Sequence, residues 1–424
     1  MSLQVSKDHT HLLKDGKHFF WLADTCWSAF TNISDEEWDA YLTHRAEQGF
    51  NVLQINTLPQ WDRCGTRLNW HPFPLPDGIH YDFSVILPEY FGHARQMCRK
   101  AVERGFTLAL VVMWCNYVPD TWASNIFDGN IIPEACVEPI VRTICESFNE
   151  FEPVYLVSGD TGFDSEASTA RYRIITDLVD KYAPEALKAY HIKGRYDGLP
   201  QEFGERAGLY LYQSGHNVSA QDGCHTLAQH FAKRSPRHPV INSEPCYEQM
   251  GYSHKLYGRF RRAETRRALW DSLLSGASAG ITYGAHGVWN WQKPDMPKNP
   301  ISGEGFLQAY PCERALSFPG ASDYAFARRL FESRSITALQ PCREILAQYS
   351  EQIPCALCGP LLLIYLPVNA PLTLKGDWSD RQASVIDLSS GDSATLPLRT
   401  ENGVTTLEMH RFYHDALILI EKRA

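Results

Sequence analysis

The sequence predicts a (β/α)8 barrel followed by a small all-β sandwich, and three observations carry that prediction. Short, continuously apolar segments alternate with helical segments from about residue 18 to residue 333. Strands covered on both faces read as unbroken apolar runs, and their alternation with helices marks a parallel sheet. No Gly-rich phosphate loop follows the first strand, which turns the reading away from an open dinucleotide-binding sheet. Beyond about residue 340 the helical pattern ends, and short strands with tight turns replace it.

The elements follow in order. Leu12 to Lys14, Asp15-Gly16 and His18 to Ala23 read as a hairpin whose second strand opens the barrel and ends at Asp24. Ser34 and Glu37 form a capping-box pattern, so a helix starts there and stops at Gly49. The strand Phe50–Asn56 comes next. A Trp- and Pro-rich loop over Thr57–Leu87 is long enough to be functional and is expected to shape the entrance. Helix Pro88–Arg104, strand Phe106–Trp114, helix Glu134–Asn149, strand Val154–Val157 and helix Ser165–Tyr182 continue the rhythm. Later strands are Leu187–His191, Gly208–Gln213, Pro239–Asn242 and Gly280–Tyr283, with helices near 221–234, 259–276 and 321–333. Strands at 361–367, 383–387, 405–408 and 416–420 belong to the second domain. That domain is too small to bury much alone, so it is expected to pack on the barrel. The expected division is residues 1–345 for the barrel and 346–424 for the sandwich.

Composition excludes several classes. The chain has 424 residues and a formal net charge of −9, which argues against a nucleic-acid partner. Its one dense basic run, Arg259 to Arg267, reads as a solvated helix face. Twelve cysteines are scattered, many within apolar runs, as reduced buried thiols would be. Cys355-Ala356-Leu357-Cys358 is the only CxxC, and it lacks a second pair at zinc spacing. The opening Met1–Ser6 has no secretory-leader pattern, so a cytoplasmic protein is expected. The longest apolar run, near Leu361 to Val368, is too short to span a bilayer, so no membrane partner is expected.

Barrel enzymes place their chemistry at the C-terminal ends of the strands. The polar residues there are Asp24, Asn56, Trp114, Asn116, Asp160, His191, Gln213, Glu244, Tyr283 and His286. Late in the barrel, only Asp160 and Glu244 are carboxylates ending a strand. They are 84 residues apart, about two βα units, which suits the fourth and seventh strands. Glycoside hydrolysis needs two such groups flanking the bond, one protonated and one ionised. Glu248 competes with Glu244 for the ionised role, and Asp164 and Glu166 compete with Asp160 for the acid. Gly159 is expected to let the backbone approach a ligand, and Tyr247 to donate a hydrogen bond to Glu244.

Asp24, Asn56, Asn116, His191, Gln213, Tyr247, Tyr283 and His286 are candidate partners of sugar hydroxyls, a role that suits His216 as well. Trp27, Trp61, Trp114 and Trp289 are candidate walls, because sugar rings pack their C–H faces on flat aromatics. Two other readings remain open. A non-catalytic carbohydrate-binding barrel would keep the fold without the reaction. A metal-dependent hydrolase would need His191, His216 and His286 to converge with Asp24. His9-Thr10-His11 has a metal-ligand spacing but precedes the barrel, and His225 and His230 are five apart, off the helical zinc spacing. No metal or cofactor is therefore expected.

Five segments, Leu22–Trp27, Gly49–Asn56, Val157–Asp160, Pro239–Glu248 and Gly280–Trp289, together resemble the apiosidase-like glycoside hydrolases. The resemblance spans roughly residues 5–340. The C-terminal part is similar to the small β-sandwich attached to such barrels under a collagen-binding label, for which nothing in this sequence speaks. The resemblance implies a retaining mechanism, with Asp160 as acid/base and Glu244 as nucleophile, about 5–5.5 Å apart. Release of a terminal sugar such as apiose is a family-level expectation. Members are often exported, whereas this chain is Cys-rich without a visible leader, a contrast that bears on the compartment and on whether the substrate is a polymer.

Overall fold

The computed structural model describes residues 3–60, 65–252, 256–296 and 306–423. Three short antiparallel strands come first: β1 (Leu3–Val5), β2 (Leu12–Lys14) and β3 (Lys17–Phe19). The barrel strands are β4 (Trp21–Thr25), β5 (Val52–Asn56), β6 (Thr107–Trp114), β7 (Val154–Gly159), β8 (Lys188–Ala189), β9 (Tyr210–Tyr212), β10 (Val240–Asn242) and β11 (Gly280–Tyr283). They pair in parallel in the order β8-β7-β6-β5-β4-β11-β10-β9. A parallel bridge between His191 and Leu211 joins the two ends and closes the cylinder. The side chains of β4 to β7 are buried on both faces, because core fills the inside and helices cover the outside.

Two local expectations change. The predicted hairpin strand over His18–Ala23 breaks at Phe20, where the backbone N–H goes to Glu332 and the carbonyl to Asn51. The hairpin ends at Phe19, and the barrel strand begins at Trp21. The helix predicted over 259–276 spans Arg262–Leu273 instead. Residues just before it fold back antiparallel, with Gly251 bridging Arg259 and Phe260 N–H donating to the Met250 carbonyl. The capping box at Ser34 and Glu37 is formed, and Gly49 ends that helix in the left-handed conformation.

The second unit has nine strands: β12 (Gln340–Pro341), β13 (Cys355–Cys358), β14 (Leu361–Leu366), β15 (Leu372–Lys375), β16 (Arg381–Asp387), β17 (Ser393–Leu396), β18 (Leu398–Glu401), β19 (Val404–Leu407) and β20 (Ala416–Lys422). Six form one sheet in the order β12-β13-β14-β20-β16-β17, and a second sheet, β15-β19-β18, faces it. Leu362, Ile364, Ile418 and Ile420 join the sandwich core. Leu363, Tyr365, Leu417 and Leu419 join the barrel core. Alternate residues of β14 and β20 thus bury on opposite faces, which explains their unbroken apolar sequences.

The basic run is solvated only in part: Arg261 and Arg267 are exposed, but Arg262 and Arg266 are not. Arg262 and Arg266 lie at the seam between barrel and sandwich, where Arg262 grips Asp323 (2.7 and 2.9 Å) and Arg266 pairs with Asp415. A helix carrying Arg at positions four apart places them on one face, and here acidic residues from two other segments meet that face. No helix among the described residues is long and apolar enough to cross a membrane.

Candidate active site

The C-terminal ends of the barrel strands surround a cavity of about 530 Å³ that contains both Asp160 and Glu244. Asp160 follows β7, the fourth barrel strand, and Glu244 follows β10, the seventh. Trp27, Trp114, Gln213, Tyr247 and Trp289 line the same space. His216, weighed from the sequence as a metal ligand, lines it too, and so do Trp122, Gln60, Lys193, Arg195 and Phe306, which the sequence pattern did not single out. Trp122 sits in the loop after β6, and an aromatic in a loop beyond a barrel strand was the available signal. Gln60 is the only described residue of the long 57–87 loop that lines the cavity; the expected wall residue Trp61 lies outside the described residues.

Glu244 is 7% exposed and is held by two imidazoles. His216 Nε2 stands 2.9 Å from Oε1, and His191 Nε2 stands 3.1 Å from Oε2, off the line that a hydrogen bond prefers. The tautomers follow from the other ring nitrogens. Tyr247 N–H donates to His216 Nδ1 (3.4 Å), and Asp160 N–H donates to His191 Nδ1 (3.2 Å). Each Nδ1 accepts, so each proton sits on Nε2 and faces the carboxylate. Burial alone would raise the Glu244 carboxyl, but the two imidazoles more than offset it and hold it at about 2. Tyr247 remains protonated well above the usual phenol range, because of burial and then the nearby Glu244 carboxylate. Its hydroxyl accepts from Trp27 Nε1 at 3.0 Å.

Asp160 sits at φ 49°, a left-handed conformation uncommon for a residue with a Cβ. Trp122 Nε1 donates to its carbonyl at 2.8 Å. The preceding glycine is needed for a different reason from the one expected. A Cβ on Gly159 would lie 2.2 Å from the Trp114 ring, so the glycine lets an indole wall, rather than a ligand, approach the backbone. Gly284 does the same for Tyr247, whose ring would meet a Cβ at 1.9 Å.

Several candidates face elsewhere. Asp24 is fully buried outside the cavity, accepting from Tyr41 and Arg45, each at 2.7 Å. Tyr283 donates to Glu248 at 2.7 Å and does not line the cavity. His286 turns to the Gln249 carbonyl, 3.2 Å from its Nδ1. Glu248 also accepts from Gly320 N–H (2.8 Å), and its carboxyl is pushed up, chiefly by burial. Asp164 pairs with Lys193, and Glu166 is exposed on its helix. Neither acidic rival lines the cavity. Asn56 and Asn116 are buried near the strand ends, with Asn56 Oδ1 and both polar atoms of the Asn116 side chain lacking a protein partner.

The histidines weighed as metal ligands divide. His191 and His216 meet at Glu244, whereas His225 pairs with Asp271 at 3.0 Å beneath the sandwich. Among the described residues, no group of three or more His, Cys, Asp or Glu side chains is arranged to hold a metal ion.

A barrel with a buried ionised carboxylate and a second carboxyl group across an aromatic-walled cavity belongs to the glycoside-cleaving hydrolases in architecture. Residues 6–338 match the apiosidase-like catalytic domain, and the chain belongs to that family. It is therefore a glycoside hydrolase that acts on carbohydrate. Solved structures agree in fold. One titled a glycoside hydrolase is 18% identical, with TM-score 0.81, covering 99% of this chain and 97% of its own. A glycoside hydrolase family 5 protein from Bacteroides vulgatus ATCC 8482 is also 18% identical, with TM-score 0.82, covering 99% and 93%. No curated protein matches the chain in sequence.

Proposed function

We propose that this hydrolase is a retaining exo-glycosidase that releases a terminal pentose of the apiose type, with Glu244 as nucleophile and Asp160 as acid/base. The observation that carries the reading is the state of Glu244. It ends a barrel strand inside the aromatic cavity and is kept ionised by two imidazole N–H groups, while burial withholds water from it.

In the first step Glu244 forms a bond to the anomeric carbon as the glycosidic C–O bond breaks. The Asp160 proton goes to the leaving oxygen. In the second step Asp160 takes a proton from water, the water oxygen bonds to the anomeric carbon, and the ester to Glu244 breaks. Trp27, Trp114 and Trp289 offer faces to the sugar ring. A cavity of about 530 Å³ is in the range of small-ligand sites and suits one ring plus part of its neighbour.

The test is hydrolysis of a panel of aryl glycosides that includes apiosides, with and without chelator, and with the first-formed anomer read by NMR. Wild type is expected to retain configuration and to resist chelation. Glu244→Gln is expected to lose on the order of 10³-fold or more in turnover. An inverted product would overturn retention, and an unaffected mutant would remove Glu244 from the mechanism. Chelator-sensitive turnover would support a metal-dependent hydrolase, and sugar binding without turnover would support a binding barrel.

A further inference from the structure

The two carboxyl groups come from opposite sides of the barrel mouth, yet one side chain touches the segments that carry both. His191 accepts the Asp160 N–H on Nδ1 and presents Nε2 to Glu244 Oε2. Resting on the reading above, we propose that His191 is the positioning residue that couples the acid/base to the nucleophile. One imidazole sets both the main-chain conformation of Asp160 and the placement of Glu244.

The ring has little freedom. It is fully buried, its edge meets Trp27 at 5.3 Å between centroids, and Trp114 packs against it at 5.8 Å. Its own backbone is fastened to the end of β7, with its N–H donating to the Ser158 carbonyl (3.3 Å) and its carbonyl accepting from Ser158 Oγ (3.1 Å). The ring therefore moves with the strand end that carries Asp160.

Asp160 needs that support. At φ 49° its Cβ points where an extended residue would not send it, and the conformation is disfavoured without outside contacts. Two side chains clamp the residue, His191 on its N–H and Trp122 on its carbonyl. The same ring then offers its only proton to Glu244. His191, His216 and Tyr247 face that carboxylate, and Asp160, Lys193 and Arg195 line the same cavity. His216 serves Glu244 alone, because its Nδ1 takes the Tyr247 N–H, on the nucleophile's own loop.

The two ring functions separate by substitution. In His191→Gln the amide nitrogen falls near Nε2, so the donor to Glu244 survives and the acceptor for Asp160 is lost. In His191→Asn the amide oxygen falls near Nδ1, so the acceptor survives and the donor is lost. His191→Gln is expected to lose about 10²-fold in kcat on glycosides with poor leaving groups and much less on dinitrophenyl glycosides, which need no acid. Its acidic limb in kcat/KM stays in place. His191→Asn is expected to move that limb upward and to lose turnover regardless of leaving group. KM is expected to change less than about threefold in both.

A purely structural histidine would lower all rates together and leave both profiles unmoved, which would overturn the inference. Nitrogen-15 NMR of histidine in the wild-type protein gives an answer that needs no variant. A proton on Nε2 of His191 is expected, and a proton on Nδ1 would overturn the coupling. Glu244→Gln assayed alongside distinguishes the failures. If it keeps full turnover, the underlying mechanism fails; if it is dead while the His191 profiles stay unmoved, only the coupling fails.

Discussion

Buried carboxylates occur both at the barrel mouth and at the seam with the sandwich, but their counter-groups differ in kind. At the mouth, Glu244 faces two imidazole N–H groups and a phenol. At the seam, Asp323 lies between Arg262 and Arg266, and Asp415 is held by Arg266 and the Tyr365 hydroxyl. A guanidinium neutralises a carboxylate and occupies its oxygens in a fixed fork. That suits a joint, but it would blunt a nucleophile. Imidazole N–H donors keep the charge on the oxygens, with capacity left to form a bond. The same contrast appears within one loop, since Glu248, four residues after Glu244, is used up by Tyr283 and Gly320.

The sharpest way to break this comparison is a pair of isosteric substitutions. Glu244→Gln is expected to abolish turnover and to lower the melting temperature only modestly at neutral pH, by the stabilisation that the ionised carboxylate draws from the two imidazoles. Asp415→Asn is expected to do the reverse. It leaves Arg266 incompletely paired in a buried site and is expected to cost about 3 kcal/mol of stability, with turnover within about twofold. Thermal melts and kcat on the same samples decide the matter. Equal loss of activity in both would mean that the seam, too, serves the chemistry.

The pH dependence of stability is the next test. Glu244 is held below its unfolded value, so its contribution is present above the ordinary carboxylate range and is lost as pH falls toward about 2. Asp323 and Glu248 are held above theirs, chiefly by burial, so their contribution declines as pH rises through that range. Melting temperature followed from pH 5 to pH 2 is expected to fall less steeply in Glu244→Gln than in wild type. Parallel curves would show that the imidazoles do not stabilise the charge.

The smallest expected effect is at Gln213, which lines the cavity and whose Oε1 has no protein partner. Gln213→Met keeps the volume and removes the amide. It is expected to leave stability unchanged or improved and to raise KM about three- to tenfold, the worth of one hydrogen bond. A loss of stability instead would mean that the amide is structural.

Much of the architecture was legible because local rules and tertiary demands agree. The capping box at Ser34, the stop at Gly49 and the apolar strand runs name their elements without help from neighbours. Asp160 and Glu244 were legible because a carboxylate ending an apolar strand needs a reason. Legibility failed where a side chain's direction depends on a distant partner. Asp24 ends a strand just as Asp160 does, but Arg45 and Tyr41 draw it away from the cavity. Arg262 and Arg266 read as surface residues until Asp323 and Asp415 arrive from chain far downstream. Trp122 carried no periodic signal, because loops have none.

From sequence alone came the barrel, its strand order, the attached sandwich and the two carboxylates at the fourth and seventh strand ends. Each depends on residue type and spacing along the chain, which the linear order contains. Tertiary structure decided which strand-end polar groups turn inward, which nitrogen of each histidine carries the proton, and why Gly159 must lack a side chain. Those outcomes are set by groups far apart in sequence meeting at distances near 3 Å, and no local pattern encodes that meeting.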